Sequence, residues 1–226
     1  MSDSVSDVDF MRLGQPVAVD PAWEEDAPPG AEREDIARVI LNGERIAARV
    51  RALGEAITRA YAPHIAGSRL VLAITLRGAA VFAADLARAI DLPVELDFIS
   101  AASYGDSTVT SGSVRFLKDL ETNIENKHTL IVEDILDSGL TLAKLVETLQ
   151  VRNPASLRVC ALLDKGKPFP LRRYPQALAF TGFLIPDEFV VGYGLDYAQR
   201  YRNLPYVGVL KPEVYARPHG ERVTLA

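Results

Sequence analysis

The spacing of apolar residues predicts a chain of alternating helices and strands. From Glu44 onwards, apolar residues recur every three or four positions, as on one face of an amphipathic helix; they are Ile46, Val50, Leu53, Ile57 and Tyr61. Pro63 and Gly67 are expected to end this helix. The continuous apolar run 70–75 is typical of a strand buried on both faces. A second helix is predicted around residues 81–86.

The same alternation continues to residue 163. Because a strand, helix, strand sequence favours a parallel sheet with helices on both faces, the chain is predicted to be an α/β protein. The further elements predicted are a strand at 94–100, a long polar loop at 103–113, a returning hairpin strand from Val114, a buried strand at 129–135, a helix at 141–150 and a buried strand at 157–163.

Composition narrows the class of protein. The 226 residues are enough to bury a core without disulfides, and the single Cys160 lies in an apolar run that favours an inert buried thiol. The net charge of −5, from 30 acidic and 25 basic residues, gives no support for nucleic-acid binding. With no apolar run of membrane length and no apolar segment typical of a signal peptide, we expect a cytoplasmic protein without a membrane partner.

The first residues differ in composition from the rest. Residues 1–30 are rich in proline, acidic residues and serine, which predicts a flexible N-terminal extension. Residues 31–226 are then expected to form one domain.

The segment 130–142 carries the most informative chemistry. A buried strand ends in two adjacent carboxylates, Glu133 and Asp134, and a short loop at 137–141 then opens a helix. Ligands of α/β sheets lie at the carboxyl ends of strands, and a helix N-terminus offers N–H groups and a positive dipole to a phosphate. Carboxylates suit sugar hydroxyls and a hard cation such as Mg²⁺. The segment therefore predicts a site for a phosphate, a diol and a metal.

Parts of this segment also have a simpler interpretation. A serine or aspartate near a helix start is often only an N-cap. The pair of acids directly after a buried strand, with the loop following in register, favours the binding site over a capped helix.

Several runs resemble a known enzyme family. The run VEDILDSGLTL (132–142) resembles the phosphoribosyl pyrophosphate motif of type I phosphoribosyltransferases. Residues 183–210 resemble the base-binding hood of the hypoxanthine-guanine subfamily, and its other loops are matched by residues 76–79, 103–107 and 164–168. The resemblance covers residues 35–210. It implies the type I phosphoribosyltransferase fold: a central, mainly parallel sheet flanked by helices, with a small hood built from the N-terminal helix region and the segment 164–210.

The resemblance implies how the sugar-phosphate substrate would be held. The paired acids would bind the ribose hydroxyls, the 138–141 loop the 5′-phosphate, the 76–78 loop and an arginine the pyrophosphate, and a lid would close over the reaction. The residues so assigned are Leu76, Arg77, Gly78, Ser103, Tyr104, Glu133, Asp134, Ser138, Gly139, Leu140, Thr141 and Arg202. The likeness of the run LRGA (76–79) also predicts a cis peptide bond between Leu76 and Arg77.

The resemblance also implies the catalytic and base-binding residues. Asp137 would take the proton of the attacking base and stabilise a cationic sugar. Lys165 would donate to the 6-oxo group, Phe189 would stack on the purine, and the base site would include Val190 and Asp196. Mg²⁺ would be held by Glu133, Asp134 and Asp196. Without the resemblance, Lys165 could equally be a surface lysine, Phe189 a core aromatic and Arg202 part of a solvated face.

The activity implied is transfer of the phosphoribosyl group from phosphoribosyl pyrophosphate to hypoxanthine and guanine, by a homodimer or homotetramer. One alternative is the same reaction on another base, such as xanthine. A second is a regulator that binds phosphoribosyl pyrophosphate without catalysis, which would not need Asp137, Lys165 and Arg202 together. A third, a dinucleotide-binding enzyme, lacks its GxGxxG motif after the first strand.

Overall fold

The computed structural model describes residues 14–30, 32–103, 114–167 and 178–216. Its strands are β1 (Val17–Ala18), β2 (Ile36–Leu41), β3 (Leu70–Thr75), β4 (Val94–Ser103), β5 (Val114–Lys118), β6 (His128–Leu136), β7 (Ser156–Asp164), β8 (Leu178–Leu184), β9 (Val190–Val191) and β10 (Val207–Leu210). Its α-helices are α1 (Gly43–Tyr61), α2 (Ala79–Ala89), α3 (Leu140–Gln150) and α4 (Pro212–Tyr215). Short 3-10 helices lie at Pro21–Trp23, Arg33–Asp35 and Ala62–His64.

The described strands form two sheets. The main sheet has seven strands in the order β1-β8-β7-β6-β3-β4-β5, and every neighbouring pair is parallel except β4 and β5. The second is an antiparallel sheet of three strands, β2-β10-β9. The predicted α/β architecture with a mainly parallel sheet is therefore confirmed, as are the strands and helices predicted between residues 44 and 163.

Helices cover both faces of the main sheet. On one face α1 and α2 pack over β3, β6 and β7, and Ile57, Phe82 and Leu72 are among the fully buried side chains there. Asn42 caps α1 by accepting a hydrogen bond from the N–H of Arg45 at 3.0 Å. On the other face α3 packs through a second cluster with the alternate residues of the same strands. This two-sided burial explains why the strand sequences read as continuous apolar runs.

The second sheet forms the hood. Its core is a separate cluster that joins β2, β9 and β10 to Tyr201, Leu204 and Tyr206. The sequence places the N-terminal helix region in the hood, but α1 packs on the main sheet, and it is the preceding strand β2 that contributes to the hood. The partner of β2 is β10, which lies far along the chain, so the place of β2 in the second sheet is not visible in the local sequence pattern.

Residues 14–30 differ from the flexible extension that their composition predicts. Strand β1 adds to the edge of the main sheet beside β8, and the carbonyl of Gly14 accepts a hydrogen bond from the N–H of Thr181 at 2.9 Å. Trp23 packs against the core with the guanidinium of Arg45 5.1 Å from its ring centre, and Ala27 is buried in the hood cluster. Residues 1–13 lie outside the described residues.

None of the helices in the described ranges is long and apolar enough to cross a membrane.

We predict that residues 14–30 stabilise the fold whereas residues 1–13 do not. Deleting residues 1–30 removes an edge strand and uncovers apolar surface, which should cost roughly 2 kcal/mol and lower the unfolding temperature by about 4–8 °C. The variant that lacks residues 1–13 is the matched control and should unfold at the same temperature as the full chain. Thermal unfolding followed by circular dichroism measures both. Equal unfolding temperatures for the two deletions would show that the packing of residues 14–30 contributes nothing.

Candidate active site

Two lysines and two carboxylates meet at the carboxyl edge of the main sheet. Leu136, the last residue of β6, is level with Asp164 of β7, and the N–H of Lys165 donates to the carbonyl of Leu136 at 3.1 Å. The next residue after β6, Asp137, therefore lies beside Lys165, with 3.0 Å between its Oδ2 and the lysine Nζ. Lys167 Nζ lies 2.8 Å from Asp137 Oδ1.

Asp187 completes this group from the loop after β8. Its Oδ1 lies 2.7 Å from Lys167 Nζ and 3.5 Å from Lys165 Nζ. Hydrogen bonds from the lysines, that of Lys167 first, lower the pKa of Asp137 and of Asp187 below their usual values. The lysines thus favour the ionised form of both carboxylates. The side chain of Lys165 is only 10% exposed, which separates it from an ordinary surface lysine.

The loop from Asp137 to Thr141 leads into the N-terminus of α3. Gly139 has φ of +64°, a left-handed conformation that favours glycine, and α3 begins at the next residue. No side chain among the described residues caps this helix. The loop lines a cavity of about 200 Å³ together with the ends of β3, β4 and β6, including Thr75, Leu76 and Glu133. This geometry leaves N–H groups at the helix start for an anion.

The paired acids lie between this cavity and the loop after β3. Burial, and then the neighbouring Asp134 carboxylate, raise the pKa of Glu133 well above its usual value. Asp134 is pressed against the backbone of Gly78, where an added Cβ would lie 1.5 Å from its Oδ2. Gly78 is therefore needed for this close approach. The peptide bond between Leu76 and Arg77 is cis, as predicted.

The two predicted pyrophosphate arginines lie together although they are far apart in sequence. Arg77 Nη1 donates to Gln199 Oε1 at 3.0 Å, and Arg202 Nη2 lies 3.4 Å from the same oxygen. Arg202 also pairs with Asp196 at 2.7 Å and donates to the carbonyl of Gly194 at 2.8 Å. A single neutral acceptor thus lies between two guanidinium groups, a pattern suited to a multiply charged anion.

Close backbone packing holds the two arginine loops together. Gly194 has φ of +101°, and an added Cβ would lie 2.2 Å from the carbonyl oxygen of Gly78. The loop that carries Arg202 is therefore seated directly on the loop that carries Arg77.

The predicted base-binding residues lie where the hood meets this edge. Phe189 is partly exposed, and the next residue, Val190, is buried in β9 opposite Val209. Asp187 links the start of this segment to the two lysines. The segment 185–190 thus brings Phe189 to the same region as Lys165, through the contacts of Asp187 with the lysines.

The three carboxylates expected to hold a metal do not form one cluster. Among the described residues, no group of three metal-ligating side chains is brought together. Asp196 instead pairs with Arg202 and accepts a hydrogen bond from the N–H of Gln199 at 2.9 Å. Glu133 and Asp134 remain together as neighbours at the end of β6.

The two predicted lid residues fall at the start of the polar loop. Ser103 is the last residue of β4. Tyr104 lies outside the described residues, as does most of the polar loop predicted at 103–113.

The structure adds site residues that the sequence does not single out. Asp187 and Gln199 both lie inside runs that resemble the family's hood, yet they carry no motif of their own. Only the fold shows that Asp187 faces the lysines and that Gln199 lies between the arginines. Lys167 is suggested by its place two residues after Lys165, and the structure puts it in the same ion-pair group.

Comparisons with known proteins agree with this geometry. The family model described as "Phosphoribosyl transferase domain" matches residues 38–198. The chain is 49% identical to hypoxanthine-guanine phosphoribosyltransferase of Bacillus subtilis over 81% of this chain and 98% of that protein. It is 48% identical to the Mycobacterium avium protein of the same name, over 88% and 95% respectively.

A solved structure shows the same fold. The hypoxanthine phosphoribosyltransferase of Staphylococcus aureus aligns with a TM-score of 0.72 at 41% identity, covering 84% of this chain and 100% of that one. The chain belongs to the hypoxanthine-guanine phosphoribosyltransferase family. The family resemblance and the type I phosphoribosyltransferase fold predicted from the motifs are confirmed, and this chain is accordingly an enzyme.

We predict that Asp137→Asn lowers turnover far more than it weakens binding of phosphoribosyl pyrophosphate. The amide keeps the shape of the side chain but loses the charge and the proton-accepting oxygen, so kcat should fall by roughly a hundredfold or more. Steady-state kinetics give kcat and KM separately.

The matched comparison is Asp187→Asn, which removes the other carboxylate from the same lysine pair. It should lower kcat much less. Equal losses in the two variants would mean that Asp137 acts only by balancing the charge of the lysines, and near-normal turnover of Asp137→Asn would remove it from catalysis.

Proposed function

We propose that this enzyme transfers the 5-phosphoribosyl group from phosphoribosyl pyrophosphate to hypoxanthine and guanine, giving IMP or GMP and pyrophosphate. The observation that carries the proposal is the convergence on one sheet edge of the phosphate loop, the paired acids, the two arginines and Asp137 with its lysines. Each of these groups suits one part of the two substrates. The reaction places the enzyme in purine salvage.

The sugar-phosphate substrate would lie along this edge. Its 5′-phosphate would accept hydrogen bonds from the backbone N–H groups of residues 138–141, at the start of α3. The hydroxyls of Ser138 and Thr141 would donate to the same phosphate. The ribose hydroxyls would donate to Glu133 and Asp134. The pyrophosphate would be held by the 76–78 loop and by Arg202, and would displace the Gln199 oxygen that now lies between the two arginines.

Asp137 is proposed as the catalytic base. A nitrogen of the purine's five-membered ring forms a bond to the anomeric carbon while the bond from that carbon to pyrophosphate breaks, and the proton on the nitrogen passes to the Asp137 carboxylate. The same negative charge stabilises the positive charge that develops on the sugar. Hydrogen bonds from the two lysines lower its pKa and so favour the ionised form, which is the form that can accept the proton.

The base would be read by residues at the hood. Lys165 donates to the 6-oxo group, so on binding the base it exchanges part of its contact with Asp137 for the purine oxygen. The ring of Phe189 offers a stacking surface, and the backbone at Val190 lies beside it. This arrangement favours a 6-oxopurine over a purine with an amino group at that position.

Mg²⁺ is proposed as the cofactor, with a smaller set of ligands than the sequence suggests. Magnesium in phosphate enzymes is commonly held by one or two carboxylates together with substrate oxygens, and Glu133 with Asp134 fit that donor set. When bound, the metal would neutralise charge on the pyrophosphate leaving group. Asp196 would contribute to the metal site through water, because its carboxylate is paired with Arg202.

Assembly into a homodimer or homotetramer, and a cytoplasmic location, are proposed from the family resemblance. Residues 31–226 are proposed as the catalytic domain, with the segment 14–30 packed on it.

The direct test is nucleotide synthesis by the full chain. Phosphoribosyl pyrophosphate and Mg²⁺ are supplied with hypoxanthine, guanine, xanthine or adenine, and nucleotide formation is followed by absorbance. We expect turnover with hypoxanthine and guanine and little with adenine. Turnover with xanthine alone would give the alternative base specificity, and no turnover with any base would favour a regulator that binds without catalysis.

We predict that Lys165→Gln narrows the preference for hypoxanthine over adenine. The lysine has only donors, whereas a glutamine amide can also accept from the amino group of adenine. Most hypoxanthine activity should be lost, and the ratio of kcat/KM for the two bases should fall by roughly tenfold or more.

Lys167→Gln is the matched control, because it removes the same charge from the same two carboxylates. Its ratio of kcat/KM should remain near that of the wild type. A changed ratio in Lys167→Gln with an unchanged ratio in Lys165→Gln would transfer the base-reading role to Lys167.

A further inference from the structure

The proposed stacking residue Phe189 has two aromatic neighbours. The ring of Tyr197 lies perpendicular to it, with the ring centres 5.6 Å apart and the planes at 90°. Tyr215 stacks on its face, with centres 5.0 Å apart and the planes at 20°. Phe189 nevertheless remains 36% exposed. Because Tyr215 covers one face of the ring, a purine that stacks on Phe189 would lie on the opposite face.

The hood fixes the place of Tyr215. The N–H of Leu210 donates to the carbonyl of Phe189 at 2.8 Å, and the N–H of Lys211 donates to the carbonyl of Asp35 at 2.9 Å. Helix α4 then begins at Pro212, and Val214 packs against the hood cluster. The segment from Leu210, the last residue of β10, to Tyr215 therefore holds both the backbone of Phe189, through Leu210, and its ring, through Tyr215.

We propose that Tyr215 is a positioning residue for the purine base. It backs the ring of Phe189 so that the open face is presented to the base in a fixed orientation. A half-exposed phenylalanine without this support could adopt other side-chain rotamers, and binding would then have to order it. The role rests on the proposed function, because it requires that the base stacks on Phe189.

The test compares substitutions of Tyr215 by steady-state kinetics. Tyr215→Ala should raise the KM for hypoxanthine about fivefold, the usual strength of one aromatic contact, and leave kcat and the KM for phosphoribosyl pyrophosphate nearly unchanged. Tyr215→Phe retains the stacking ring and should restore the KM for hypoxanthine. Thermal unfolding checks that the variants fold, and Tyr215→Leu replaces the alanine variant if that one does not.

Val214→Ala is the matched control, because Val214 lies in the same short helix but packs into the hood cluster. Its KM for hypoxanthine should stay near the wild-type value. An equal rise of the KM for hypoxanthine in Val214→Ala, or a KM that stays raised in Tyr215→Phe, would show that the effect comes from a less stable helix. Either result would overturn the positioning role.

A lower KM in Tyr215→Ala would mean that Tyr215 covers the face that the base needs, which also overturns it. An unchanged KM overturns it as well. Absence of turnover by the wild-type enzyme with hypoxanthine and guanine is a separate result: it would overturn the proposed function and this role with it.

Discussion

The register between β6 and β7 brings the reacting groups of this enzyme together. With Leu136 level with Asp164, the two chains leave the sheet side by side, and Asp137 and Lys165 lie 3.0 Å apart at their charged atoms. The two strands contribute alternate side chains to the clusters on opposite faces, so a shift by one residue would move each side chain into the other cluster and disrupt the packing of both. The same packing that stabilises the sheet thus fixes the distance between the proposed base and the proposed reader of the purine.

Ion pairs and close backbone contacts hold the hood against this edge of the sheet. Asp187 joins the segment before β9 to both lysines, and Gly194 seats the loop carrying Arg202 on the loop carrying Arg77. These charged groups pair with one another across the site. Substrate binding would then exchange their partners. Pyrophosphate would replace Gln199 at the two arginines, and the purine oxygen would replace part of the contact between Lys165 and Asp137.

How far the sequence predicts the molecule depends on whether a feature is local. The apolar periods between residues 44 and 163 give the buried strands and helices, because two-sided burial leaves a continuous apolar run. The motif at 132–142 locates the phosphate loop and paired acids, because strand, loop and helix are contiguous.

Features made by distant segments are not predicted. Strand β1 has only two residues, too few for a period, and is recognisable only from its pairing with β8. Asp187, Gln199 and Tyr215 are ordinary residues in sequence, and their contacts form only when the hood meets the sheet. Asp196 has the chemistry of a metal ligand but is drawn into an ion pair by Arg202.

We propose that Asp137 and Lys165 work as one unit assembled by the strand register. A double-mutant cycle measures this coupling, with kcat/KM for hypoxanthine determined in the wild type, Asp137→Asn, Lys165→Gln and the double variant. We predict that the double variant loses at least about fivefold less than the product of the two single losses, because residues that act as a unit are not additive. Losses that multiply fully would show that the two groups act independently and would contradict the account.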